Sequence, residues 1–204
     1  MSITWEEIQS IPHDYSFVSE SIVFSENKDY FVNENLNSGS QIIISEPWLN
    51  DIYSASAAYV CEDGGDILEL GFNNSSNFIQ SHSISSHTIC EVHPDKITQA
   101  KEWAVGKSNV TIIEGSWFQN KDDLGTYDGI LHNREFTTDT LWLSSSVESF
   151  TKSGTRLTFD NLGGSGSYNP WGISTDSYQQ VSVTPSGIQT YYTSSIYHMP
   201  KKEF

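Results

Sequence analysis

Positive charge is scarce in this chain. Only 10 Lys and Arg stand against 26 Asp and Glu over 204 residues, a formal net charge of −16. Such a field repels phosphate backbones and acidic bilayer surfaces, which argues against nucleic acid and membranes as partners. Long apolar runs are missing too. None approaches the roughly 20 residues a bilayer-crossing helix needs, and the opening MSITWEEIQS carries neither a basic cluster nor an apolar signal core. The expectation is a soluble, cytoplasmic protein. Cys61 and Cys90 are the only cysteines, too few for a disulfide scaffold and in keeping with a reducing compartment. His82, His87 and His93 are near-regularly spaced, but no Cys pair or HExxH pattern accompanies them, so no metal site is expected.

What is present is enough for a core: 36% hydrophobic residues, with 6 Trp, 10 Tyr and 10 Phe. At about 150 residues per domain, the length favours one domain with trimmings. Residues 1–40 mix Ser, Asn and Glu with Trp5, Tyr15, Phe17, Phe24, Tyr30 and Phe31. An arm of that composition either packs on the core or closes over a ligand as a lid. Residues 41–204 then form the main domain. Trp48, Leu49, Ile52, Tyr53 and Ala57 recur at helical spacing, and Asp63, Gly64 and Gly65 stop that helix.

From Asp66 onward, short apolar runs alternate with helix-length polar segments. Ile67 to Leu70, Thr88 to Val92, Val110 to Ile113, Gly129 to Leu131 and Arg156 to Phe159 read as five strands. Pro94 to Ala104 reads as a helix, with Pro in its first turn and Gly106 just beyond its end. The alternation specifies a doubly wound, mostly parallel α/β sheet. Gln180 to Thr184 and Ile188 to Tyr197 flank Pro185, Ser186 and Gly187, which reads as an antiparallel hairpin closing that sheet.

Ligands of open parallel sheets bind beyond the carboxyl ends of the strands. The first tip carries Glu69, Leu70, Gly71, Phe72, Asn73 and Asn74, and the second ends at Glu91 and Val92. The third continues as Glu114, Gly115, Ser116 and Trp117, and the fourth as His132, Asn133, Arg134 and Glu135. Gly71 permits a tight turn against a ligand, and a carboxylate about twenty residues on accepts hydrogen bonds from both hydroxyls of a ribose. That pairing indicates a nucleoside. Asn73 and Ser75 stand where a dinucleotide fold has glycines, which argues against NAD. Trp117 is either a stacking partner for a purine or a core residue, and Glu69 is a ligand contact or only a strand-end polar group.

In order and spacing, ILELGF (67–72), HTICEVHPDKITQAKEWA (87–104), VTIIEGSWF (110–118) and YDGILHN (127–133) resemble class I S-adenosylmethionine-dependent methyltransferases. Within that class the likeness is greatest to guanidinoacetate N-methyltransferase and its relatives that methylate arginine side chains. FTKSGTRLTFDNLG (150–163) resembles a further family segment, so the similarity covers about residues 41 to 163. The resemblance implies a Rossmann-like methyltransferase sheet and S-adenosylmethionine as cofactor. It places Gly71 beside the methionine moiety, Glu91 at the ribose, and Ser116 with Trp117 at the adenine, with Glu69, Phe72, Asn73, Val92 and Asn133 as further cofactor contacts. Leu162 and Gly163 fall where the family holds the substrate carboxylate, and Gln80 falls on a family glutamine read as structural.

Three departures touch the acceptor side. The family's catalytic Asp is replaced by Asn133, and an amide does not accept a proton from a guanidinium as a carboxylate does. The family's substrate-binding Glu aligns with Ser45, with Glu46 one residue later. The segment between Gly163 and Gln180 is rich in Gly, Ser and Pro where the family has a helix. The candidates for acid–base work are therefore Glu46 and Glu135, with Asp139 behind them, Glu46 also being a substrate contact. The expected activity is methyl transfer to a small guanidino or amino compound. Its rivals are another acceptor such as a peptide arginine, and a nucleoside-binding protein without turnover.

Overall fold

A computed structural model describes residues 22–24, 29–32, 41–45, 47–117, 120–133, 146–161, 173–185 and 194–204. Three short strands come first: β1 (Ile22–Phe24), β2 (Asp29–Val32) and β3 (Gln41–Ser45) form an antiparallel sheet in that order. The composition suggests a partly irregular arm over residues 1–40; β1 and β2 fall within it, and β3 begins at residue 41, the first of the expected main domain.

The main sheet has seven strands in the order β6-β5-β4-β7-β8-β10-β9. These are β4 (Asp66–Leu70), β5 (Ser86–Glu91), β6 (Val110–Glu114), β7 (Tyr127–His132), β8 (Thr151–Phe159), β9 (Ser177–Ser182) and β10 (Ile196–Glu203). β4 to β8 pair in parallel, and β10 is antiparallel to both β8 and β9. The doubly wound sheet with antiparallel closing strands is thus the architecture anticipated. All five parallel strands lie where the apolar runs placed them; four are extended by one to five residues, and β5 starts two residues earlier and ends one residue earlier than expected.

The hairpin strands run Ser177–Ser182 and Ile196–Glu203, against the expected Gln180 to Thr184 and Ile188 to Tyr197, and Ile196 pairs with Ser182; Ser186, Gly187 and residues 188–193 lie outside the described residues. Pro200 has no N–H to donate and reads as a strand breaker. Here it sits opposite Tyr178, and its carbonyl accepts the Thr158 hydroxyl at 2.6 Å. Burial of Tyr197 and Met199 on one face supplies the reason to extend the strand past it.

Alternation along the strands sorts the core onto two faces. Ile67 and Leu131 join Ile52, Ala57 and Val60 of helix α1 (Asn50–Val60), with Tyr197 and Met199. Leu68, Leu70, Ile130, Leu157 and Phe159 face the other way with Trp117 and Phe150. A sheet buried on both faces needs the continuous apolar runs seen in the sequence. Gly129 lets α1 approach β7: a Cβ there would sit 2.1 Å from the Val60 carbonyl oxygen.

Helix α2 spans Ser75–Gln80, and helix α3 spans Pro94–Ala104 with the bounds expected. His93 caps α3, its Nδ1 accepting the Asp95 N–H at 3.2 Å. Cys61 and Cys90 are both buried. Among the described residues no helix is long and apolar enough to cross a membrane, and no cluster of His, Cys, Asp and Glu is arranged to hold a metal.

Candidate active site

Chain order puts β5 and β6 on one side of β4, and β7 and β8 on the other, so strand order reverses between β4 and β7. The ladder hydrogen bonds continue past the strand ends and hold the tips in register. Gly115 N–H bonds to Glu91 O, Gly71 N–H to Cys90 O, Asn133 N–H to Leu70 O and Asp160 N–H to His132 O, at 2.8–3.1 Å. Three of the four tips expected to build the site are therefore fixed side by side across β5, β4 and β7, with the fourth, after β6, beyond β5.

Glu91 points inward. It is buried, and Oε1 accepts the amides of Val92 (2.7 Å) and His93 (2.8 Å) while Oε2 accepts that of Phe72 (2.8 Å). Burial pushes its carboxyl above the usual carboxylate range, against the pull of those amides and of Lys96. A carboxylate offers about four lone-pair positions. Three are taken by backbone, and the remaining capacity lies on Oε2, the oxygen turned toward the first tip.

The loop after β4 turns at Gly71, whose φ of +89° lies in the region that favours glycine. Of the residues in place of glycines, Ser75 opens α2 and Asn73 stands two residues before it, its Oδ1 accepting the Ser75 N–H at 2.7 Å. Phe72 is buried with its ring 5.5 Å from that of Trp103 on α3.

Glu69 is fully buried. Its carboxylate accepts the hydroxyls of Ser75 and Ser76, the Asn133 amide at 2.7 Å, and bonds His87 Nε2 at 2.9 Å. Gln80 Nε2 lies 3.3 Å from the other His87 ring nitrogen. Both Glu69 oxygens thus serve the protein. Neither the serines nor His87 were singled out as its partners from the sequence. The register held the signal, since His87 pairs with Ile67, two residues before Glu69 on the same face.

Ser116 and Trp117 are wholly buried, and the Trp117 indole stands edge-on to Phe150 at 5.6 Å in the core. Val92 is half-buried beside Glu91. Glu114 is exposed and pairs with Lys101 at 2.5 Å. Burial drives the imidazole of His132, the last residue of β7, down to a pKa of about 4. Glu46, Glu135, Asp139, Leu162 and Gly163 lie outside the described residues.

The tips, the glycine turn and the inward acid define a class. The chain has the fold of the S-adenosylmethionine-dependent methyltransferases. It is similar to fibrillarin from Aeropyrum pernix in complex with S-adenosylmethionine, with a TM-score of 0.52 and 12% identity, covering 89% of this chain and 97% of that one. An RNA methyltransferase from Salinibacter ruber in complex with S-adenosylhomocysteine gives a TM-score of 0.51 at 14% identity, over 78% of this chain and 93% of that one. In sequence, the chain is 30% identical to protein arginine N-methyltransferase 2 of Kluyveromyces lactis over 119 residues, 54% of this chain and 26% of that protein. The chain thus spans about a quarter of the length of the curated relatives it matches. No family model matches it.

Proposed function

We propose that the protein is an S-adenosylmethionine-dependent N-methyltransferase acting on a guanidino or amino nitrogen. The observation that carries this reading is Glu91: a buried carboxylate at the second tip, facing the glycine turn of the first, with an acceptor position left for a ribose hydroxyl. The residues present fit the cofactor. Gly71 leaves a turn without a side chain, and Glu91 offers the acceptor a diol needs.

When bound, S-adenosylmethionine supplies a methyl group on a sulfonium, an electrophile that needs no further activation. The chain has to set a nitrogen lone pair in line with the departing sulfur and keep water out. Glu91 and Val92 hold the ribose, and Gly71, Phe72 and Asn73 flank the methionine portion; Trp117, expected at the adenine, is a core residue. A protonated guanidino group has no free lone pair until a proton leaves, so a carboxylate is required near the acceptor. Glu46 and Glu135 take that role, with Leu162 and Gly163 on the acceptor wall.

The arginine methyltransferase relatives favour a guanidino acceptor, and extend the reading from a free guanidino compound to arginine in a peptide. A second reading, a nucleoside-binding protein without turnover, draws on the amide at position 133, where the resembling family has an acid. Calorimetric titration with S-adenosylmethionine and S-adenosylhomocysteine, followed by a methyl-transfer screen over guanidinoacetate, amines and arginine peptides, separates them. Binding with turnover on a guanidino acceptor supports the enzyme; binding with no turnover on any acceptor supports the second reading; no binding refutes both.

A further inference from the structure

Asn133 offers more than a missing acid. Its side chain is buried where the tip of β7 meets that of β4, and Nδ2 lies 2.6 Å from the Gly71 carbonyl oxygen, 2.7 Å from Glu69 Oε1 and 2.9 Å from Ser75 Oγ. The carbonyl and the carboxylate can only accept, so they decide which end of the carboxamide faces them. Turning it over would set Oδ1 against two acceptors. Two hydrogens meet these two obligate acceptors, and the donor capacity of Nδ2 is used in full. Both acceptors belong to the proposed binding loop. The peptide that carries the Gly71 carbonyl also carries the Phe72 N–H that Glu91 holds. Glu69 in turn ties down Ser75, Ser76 and His87, so one connected polar network runs from Gln80 to Gly71.

We infer that Asn133 is a positioning residue: its two amide hydrogens hold the Gly71 carbonyl and the Glu69 carboxylate, fixing the peptide that faces Glu91, and the reaction's proton acceptor is not at this position. The cofactor-binding part rests on the proposed function; the clamp itself does not. An aspartate at 133 would turn an oxygen toward two acceptors and add a negative charge beside Glu69. The titratable groups facing it among the described residues are Glu69 on β4 and, across Glu69, His87 on β5. Burial and the Glu69 charge hold such a carboxyl protonated above its unfolded value of about 3.9. An acid whose folded pKa is raised loses stability as pH climbs from the unfolded value through the folded one.

The test compares Asn133→Asp and Asn133→Leu with wild type in the full chain, by thermal unfolding from pH 5 to 8.5 without ligand, S-adenosylmethionine affinity, and turnover. For Asn133→Asp the expected deficit in Tm grows with pH. Its affinity falls about tenfold or more at pH 8, the loss expected from one charged or unsatisfied hydrogen bond, and recovers toward pH 5. Asn133→Leu shows a deficit that does not change with pH. A wild-type Tm profile for Asn133→Asp, or turnover above wild type, overturns the inference. In the wild type, the Asn133 carboxamide hydrogens should exchange slowly with solvent in 15N NMR spectra; exchange at the rate of exposed carboxamides also overturns it. This last measurement needs neither a folded variant nor cofactor binding, so failure of the clamp is distinguishable from failure of the proposed function.

Discussion

Replacing Glu91 by Gln isolates the charge and one acceptor at nearly constant shape. Oε1 holds two backbone amides and Oε2 one. The less costly orientation of the new carboxamide keeps its oxygen on Val92 and His93 and turns its NH2 toward the Phe72 N–H, leaving one buried donor facing another. An unsatisfied buried donor costs about 1–3 kcal/mol. Relief of the burial penalty on the charge trims this to about 1–2 kcal/mol, and in a chain of this size Tm falls by roughly 2–8 °C. Removal of the charged acceptor from a ribose hydroxyl weakens S-adenosylmethionine about 10- to 100-fold. The sign with pH follows from the raised carboxyl. The wild type loses this group's share of stability as pH rises from the ordinary carboxylate range through the raised value, and the variant lacks that slope. Differential scanning calorimetry over pH and isothermal titration read the two effects separately. An unchanged Tm together with an unchanged affinity would refute the reasoning.

Further outcomes follow from the buried core. His132 has a folded pKa of about 4, against 6.5 in the unfolded chain. The stability it supports is complete above pH 6.5 and is lost as pH falls through 4, by about 3 kcal/mol; His132→Gln should flatten that acid limb in urea titrations. Gly129→Ala forces a methyl group onto the Val60 carbonyl oxygen. It should cost about 1–3 kcal/mol by chemical denaturation, and a neutral result would mean that α1 does not pack so closely on β7.

The parallel strands were legible because burial on both faces demands runs such as Ile67 to Leu70, which polar surface positions cannot imitate. α3 was legible to the residue because Pro94 and Gly106 mark its ends by backbone chemistry alone. The second hairpin strand was misplaced because a local turn signal at Pro185 to Gly187 outweighed a non-local one. Non-local contacts with β8 and β9, and burial against α1, stabilise a strand through Pro200 and two lysines. Glu91 could be read from its distance past Gly71. The partners of Glu69 could not be read from spacing, since Ser75, His87 and Asn133 converge on it from α2, the start of β5 and the tip of β7. Position 133 looked like a lost base in the sequence, whereas its surroundings ask for a donor.

The most direct measurement follows backbone amide resonances of the 15N-labelled chain during titration with S-adenosylmethionine. Saturable shifts at Phe72, Val92 and His93, the amides that hold Glu91, with Asp66 at the opposite end of β4 unmoved, are the predicted result. No shift, or shifts that avoid those three amides, would contradict the account.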